Sequence, residues 1–443
     1  MSNLREQYNI ALETGKWWTI QWYLEDQYYT DNSLSKEKVK NIFSKLGEIF
    51  DAGWFISQRD TALNTARTWL DNNKGIIKKD IWTLLNKKLF NSDKPSESYS
   101  MCSIINIRTA HPLFDKFIKP GTNSLNHLIE LGQDLIDIEK AGFLSEKLIN
   151  RLKEPTEYVG VRFELKILAH LIRRKCDIKL EPLSGIGKSK ADFLITKGSE
   201  ELIAELKTLQ LSQASQVIKN ISGAINSAID DPFISSNISF WRSEPAYELK
   251  EKIKTKKGLN ELEHSLPVLI KNIKNHIIDN INNKRWGDHI IPGLIKYTIY
   301  SKQGENGGIR GEYKELPSSI NDEINKLIRN TVNGSIKQLS KKIPAILIVN
   351  IDISFLWDSE YIECMKYKLF QLWKKNMKKY EHLSALILVS KYSYNNNIIY
   401  SIEPFWNPNA KWDIKNYNLI KDILNLNGDK KDIMRELLAN TTL

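Results

Sequence analysis

Cysteine is scarce in this sequence. Cys102, Cys176 and Cys364 are an odd number at wide spacings, with no Cys-x-x-Cys pair. Neither a disulfide framework nor a zinc knuckle follows from them, and the thiols read as plain buried side chains. Long apolar runs are missing as well. The stretch from Ile343 to Ile348 is interrupted at Pro344 and falls far short of the roughly 18 residues that a membrane span requires. The opening residues Met1-Ser2-Asn3-Leu4-Arg5-Glu6 lack a signal-peptide core, so a cytoplasmic protein with no membrane partner is expected. No repeat of fixed period and no long low-complexity segment is visible. The seven histidines form no His-x-x-x-His pair, and no Ser-His-Asp constellation can be built from spacing. Gly187-Lys188-Ser189 imitates the end of a phosphate-binding loop, but the first glycine of that motif would fall at Pro182, and the segment leads into a strand.

What is present describes a globular chain. With 41% hydrophobic and 26% charged residues, collagen-like, mucin-like and wholly disordered classes are excluded, and 443 residues make two or three domains the expectation. The formal net charge of +11 favours a polyanionic partner. AT-rich coding would produce the same abundance of Lys, Asn and Ile without selection for binding, so charge alone leaves both origins open.

Periodicity divides the chain. Residues 1–145 read as a helical N-terminal domain: Val39, Ile42, Phe43 and Leu46 follow helical spacing, as do Leu125, Leu128, Leu131, Leu135 and Ile138. Trp17, Trp18 and Trp22 recur at helical spacing, and core packing is expected of them ahead of base stacking. From Pro155 the character changes. A helix is expected from near Glu157, with Val161, Leu165, Leu168 and Ile172 on one stripe, ending at Arg173-Arg174-Lys175. Three short strands follow, Asp177 to Leu180, Ala191 to Ile195 and Leu202 to Leu206, as a meander. A long, mostly helical stretch then runs to about Lys342, with one hairpin expected from Leu294 to Tyr300 and Ile309 to Leu316. A helix from Ile320 to Lys341, buried strands at Ala345 to Ile351 and Ala385 to Val389, a helix from Cys364 to Lys379, a strand at Ile398 to Ile402 and a helical tail from Leu419 complete the reading.

One constellation carries chemistry. Glu205 and Lys207 alternate with Leu202, Ala204 and Leu206, so the two charges share one face of a strand whose other face is apolar. Carboxylates on a hydrophobic strand are costly unless they are paired or ligate a metal. Asp192 opens the preceding strand, and Glu164 lies on the helix before the meander. Hard oxygen ligands around Mg²⁺ beside an ammonium group are what phosphodiester hydrolysis needs. Asp192, Glu205 and the backbone carbonyl of Leu206 could hold the ion, with Lys207 orienting water and Glu164 approaching from the helix. Gly160, four residues before Glu164, is expected to permit close packing of that helical face. His170 is expected to be structural.

The series Gly160-x-x-x-Glu164, Ala191-Asp192-Phe193-Leu194-Ile195 and Glu205-Leu206-Lys207 resembles the PD-(D/E)xK nuclease superfamily, with Ala191 in the place of the proline. The resemblance covers residues 155–210, with a weaker echo at 320–403. It implies an α/β fold: a restriction-endonuclease-like mixed sheet flanked by helices, in a domain at 146–443 with a large insertion at about 212–320. It further implies Asp192 and Glu205 as metal ligands, with Glu164 as a further candidate, Lys207 as the catalytic lysine and Mg²⁺ as cofactor, for which Mn²⁺ substitutes. Lys337-Gln338-Leu339 is similar to the family's later core helix, which puts Gln338 among the substrate-facing candidates. Lys188 and Lys190 in the turn before Asp192 and Arg310 near the expected hairpin are further candidates for phosphate contact, and the lysines of 250–257 read first as a solvated face. The expected activity is a metal-dependent endonuclease with a nucleic-acid partner, DNA favoured over RNA, in restriction or anti-phage defence, with a homodimer or a defence-system partner compatible with it. The competing reading is a degenerate nuclease fold that binds nucleic acid or assembles without cleaving.

Overall fold

A computed structural model describes residues 10–19 save 12, 35–72, 111–118, 122–182, 189–209, 217, 221, 238–253, 255–301, 310–313, 323–351, 359–394 and 397–428. The chain forms two compact units. One draws on Met1–Thr208, Lys337–Ile353 and Met377–Leu443, the other on Leu209–Ile336 and Ser354–Asn376.

In the first unit, helices α1 (Lys36–Ile49), α2 (Ala52–Asn72), α3 (Pro112–Ile118), α4 (Thr122–Lys140), α5 (Glu146–Lys153) and α6 (Tyr158–Arg173) precede strands β1 (Asp177–Leu180), β2 (Phe193–Lys197) and β3 (Glu200–Thr208). The helices before 145 share one hydrophobic core with the sheet, so the boundary expected at 145 is not where the units divide. Trp17 belongs to that core: it is buried, stacks on Phe117 at 3.6 Å, and donates its indole N–H to the Phe50 carbonyl at 2.8 Å. Trp22 lies outside the described residues.

Helix α6 is buried over most of its surface, with Arg162, Lys166 and His170 buried beside its apolar residues. Val161, Leu165, Leu168 and Leu171 are buried, each worth roughly 1.5–3 kcal/mol over exposure. It ends in a Schellman turn, with the Cys176 N–H on the Leu171 carbonyl and the Lys175 N–H on that of Ile172. Lys175 therefore takes a positive φ of 57° where glycine is usual. Gly160 does not serve the close packing expected of it, since a Cβ there would meet nothing within 4 Å. His170 is structural, with Nε2 2.7 Å from the Asp422 carbonyl.

The second unit has its own sheet and core. Strands β4 (Ile238–Pro245), β5 (Gly287–Ile291), β6 (Ile295–Ser301) and β7 (Arg310–Tyr313) are ordered β5-β6-β4-β7, with α7 (Tyr247–Ile253) and α8 (Lys256–Asn282) between β4 and β5 in the chain. Ile273, Ile277, Tyr297 and Ile299 are among its buried residues. The expected hairpin is corrected here: β6 pairs with β5, and β7 runs parallel to β4. The reason is local. Pro292-Gly293 makes a tight turn, closed by Leu294 N–H on the Ile291 carbonyl at 3.1 Å with Gly293 at φ +70°, which joins β5 to β6 directly. The expected helix over 320–341 is a helical segment that turns π over Leu327–Val332 and ends at Ser335. Lys337 and Gln338 consequently lie in a turn instead of a core helix. Helix α9 (Ser359–Lys375) also belongs to this unit.

Strands β8 (Ala345–Asn350), β9 (Leu383–Tyr394) and β10 (Asn397–Trp406), followed by α10 (Asn418–Leu424), return to the first unit. Its sheet is six-stranded and mixed, in the order β1-β2-β3-β8-β9-β10. The β1-β2-β3 meander is antiparallel, β3, β8 and β9 are parallel, and β9–β10 is a hairpin. Leu202, Ala204, Leu206, Ile346 and Ile348 join the core that holds α4, α6 and α10. Ile203, Glu205, Leu347 and Val349 alternate with them and point to the opposite face. Among the described residues no helix is long and apolar enough to cross a membrane.

Candidate functional site

The site begins where β2 stops pairing with β3. The ladder ends at Phe193 opposite Ala204, and one residue further Asp192 turns its side chain to the next backbone donor. Its Oδ2 accepts the Leu206 N–H at 2.6 Å. A strand residue's N–H and C=O project to the same side, so the Leu206 carbonyl also faces the gap beyond β2. Asp192 thereby stands beside Leu206, the residue between Glu205 and Lys207.

Glu205 is wholly buried. One of its oxygens, Oε1, forms an ion pair with the Lys207 ammonium, whose side chain remains about a third exposed. The other, Oε2, is buried and accepts no hydrogen bond. Burial, reinforced by the charge of Asp192, pushes the Glu205 carboxyl up to about 7, against the pull of Lys207 and of the Asp192 backbone N–H. Burial also raises Asp192 above the usual carboxylate range. The Leu206 N–H, Lys207 and Arg151 oppose that rise, and the charge of Glu164 adds to it. Asp192, Glu205 and Lys207 thus act on one another electrostatically, the Glu205–Lys207 part of which follows from period-two alternation, and Glu164 acts on Asp192.

Glu164 is held by a residue that sequence reading did not single out. Arg151, near the end of α5, places Nη1 2.9 Å from Oε2 and Nη2 3.0 Å from Oε1 of Glu164, a two-pronged fork. Its Nε donates to Glu157 at 2.7 Å. The Glu164 fork, followed by Glu157, holds the guanidinium further above its already high range. Helix α5 is fixed at its start by Ser145, whose hydroxyl accepts the Leu148 N–H. No spacing in Glu146-Lys-Leu-Ile-Asn-Arg151 announces this role. The only signal is an arginine one helix ahead of a carboxylate that a buried helix would otherwise leave unpaired.

Among the described residues, no group of three or more His, Cys, Asp and Glu side chains could hold a metal ion. The donors that remain for a cation are therefore two carboxylates and a backbone carbonyl. The unbonded Oε2 of Glu205, the anchored Asp192 and the carbonyl of Leu206 are hard oxygen donors, which suit Mg²⁺ in chemistry.

A cleft of about 440 Å³ opens beside the site and is lined by Arg151, Glu164 and Asp192 together with apolar side chains. Lys190 is on its wall and pairs with Glu181 at 3.0 Å. Gln338 reaches only the Lys190 carbonyl, at 3.5 Å, and is not brought to Asp192 or Glu205 by any hydrogen bond described. Arg310 lies on β7 of the other unit, and Lys188 lies outside the described residues. No protein-family model, no curated protein and no solved structure matches this chain.

Proposed function

We propose that the chain is a Mg²⁺-dependent phosphodiester hydrolase acting on nucleic acid, DNA favoured over RNA, built on a restriction-endonuclease-like core and serving restriction or anti-phage defence. The observation that carries this reading is the buried, unbonded Oε2 of Glu205 next to an anchored aspartate and an ammonium group. A native fold rarely leaves such an oxygen without a partner, and a cation is the partner that its charge selects. The order helix, three-stranded meander, parallel strand in α6-β1-β2-β3-β8 supports the fold assignment, with Gln338 in a turn as a departure from the family pattern.

Asp192, Glu205 and the Leu206 carbonyl would hold the ion. Bound there, a divalent cation neutralises charge on the phosphate and lowers the pKa of water. The protein's own groups do the rest. The Leu206 N–H holds one oxygen of Asp192 in place and favours its charged form against the effect of burial. The Lys207 side chain is about a third exposed and its ammonium pairs with Glu205, so it would orient the attacking water and donate to a non-bridging phosphate oxygen. Arg151 neutralises Glu164, which keeps a third carboxylate from repelling the substrate.

Incubation of the full chain with duplex and single-stranded DNA and with RNA, in Mg²⁺ and in EDTA, tests the reading. Cleavage is expected in Mg²⁺ only, and Lys207→Ala and Asp192→Ala should each reduce it by at least about 10²-fold, the scale of losing a positioned electrostatic group. Cleavage indifferent to both changes would remove the site. Salt-sensitive binding without cleavage in Mg²⁺ or Mn²⁺ would favour the degenerate binding protein.

A further inference from the structure

The cleft beside Asp192 is larger than hydrolysis of a phosphate requires. Its volume of about 440 Å³ lies within the roughly 300–1,000 Å³ of ligand pockets. Phe143, Leu148, Leu180 and Phe193 give it apolar walls, and Asp192 and Glu164 are its lining carboxylates beside Glu181. At its edge Glu181 holds Lys147 at 2.7 Å and Lys190 at 3.0 Å, and these lysine side chains are 70% and 53% exposed. Such exposed pairs are weak, so both ammonium groups can transfer to a phosphate. The cleft therefore combines exposed cations, aromatic and leucine side chains, and one of the candidate metal ligands, Asp192, among its lining.

We infer that this cleft receives one unstacked nucleobase adjoining the scissile phosphate, which makes single-stranded nucleic acid the substrate class. The inference rests on the phosphodiesterase reading above. A planar base has apolar faces and carries its phosphate a few bonds away, which matches an apolar recess lined by exposed Lys147 and Lys190 and by Asp192. In a duplex the base is stacked and paired inside the helix, and extracting it costs free energy that a single strand does not have to spend. The partly buried ring of Phe143 supplies the stacking surface on which single-strand binding depends.

The test is equilibrium binding of the full chain in EDTA, where cleavage is suppressed. The probe is a short single-stranded oligodeoxynucleotide with the fluorescent base 2-aminopurine moved through successive positions, compared with the same strand in a duplex. The single strand is expected to bind about tenfold more tightly, with an emission change confined to one or two positions. An abasic residue at that position should cost about tenfold, as should Phe143→Ala, while Phe143→Leu recovers part of the loss. Lys147→Ala, at an exposed site, should weaken binding and flatten its salt dependence while the same position still responds. If Phe143→Ala loses its native circular dichroism spectrum, the abasic strand and Lys147→Ala decide. Equal affinity for duplex and single strand, an abasic position that changes nothing, or no binding to either strand would overturn the inference. Cleavage of duplex DNA that depends on Asp192 would then leave the hydrolase reading standing, whereas base binding without Mg²⁺-dependent cleavage would remove that reading and keep the cleft.

Discussion

Glu205 sets the pH behaviour of the site. With its carboxyl pushed up to about 7 from an ordinary 4.5, the metal-free folded protein keeps a proton that the unfolded chain releases between those values. The group's contribution to stability is therefore full below about 4.5 and is lost as pH rises to about 7. A cation held by Glu205 must displace that proton below 7 and meets a bare, poorly compensated carboxylate above it. Mg²⁺ should accordingly raise the melting temperature more at pH 8 than at pH 5.5, and Glu205→Gln should make the two increments equal. Scanning calorimetry decides, and an increment indifferent to pH in the native protein would count against Glu205 as a ligand. That Glu205 and Lys207 share a face was legible because a strand has period two and their neighbours are apolar. Arg151 was not legible, since its fork on Glu164 joins two helices and no local pattern encodes a contact between them.

Between elements, the strongest polar ties lie on the opposite flank of α6. Arg162 and Lys166, one turn apart on this helix, are buried against α4. Arg162 donates to Asp134 at 2.7 Å and to Glu130 at 2.8 Å, Lys166 meets Glu130 at 2.7 Å, and Arg173 reaches Asp134 at 2.7 Å and Asp137 at 2.7 Å. The Tyr400 hydroxyl donates to Glu130 at 2.6 Å, which ties β10 into the same network. Removing one partner of a buried pair strands the other. Asp134→Ala should cost about 3–5 kcal/mol, read as a lower denaturant midpoint of the first unit. A loss within about 0.5 kcal/mol would mean that the network is structurally idle. Charged residues inside the apolar run of α6 were the visible sign of such a network. Their partners on α4 could not be read, because helix pairing depends on tertiary packing.

For the whole molecule, the sheet of the first unit was readable from its apolar runs, and the second unit largely was not. Strands β4 and β5 carry polar residues at about half of their positions, as Ile238-Ser-Phe-Trp-Arg-Ser-Glu-Pro245 and Gly287-Asp-His-Ile-Ile291 show, and neither stands out from a helical background. Strands β6 and β7 overlap the expected Leu294 to Tyr300 and Ile309 to Leu316, but the parallel partnership of β4 with β7, some 70 positions apart, has no local mark. Each unit closes its own hydrophobic core. Calorimetric unfolding of the full chain should therefore resolve two transitions, with a calorimetric enthalpy above the van't Hoff value for a single step. One sharp transition with equal enthalpies would mean that the units unfold as one.

The bond that Asp192 accepts from the Leu206 N–H makes that aspartate a fastening, beside the metal-ligand role proposed for it. Truncating it to alanine leaves a main-chain donor stranded at the end of the β2–β3 ladder, at about 1–3 kcal/mol, so a dead Asp192→Ala protein can be one that has come loose. Asparagine can still accept that bond through its amide oxygen while giving up the negative charge. The pair of variants, compared side by side, separates what the side chain builds from what it reacts with.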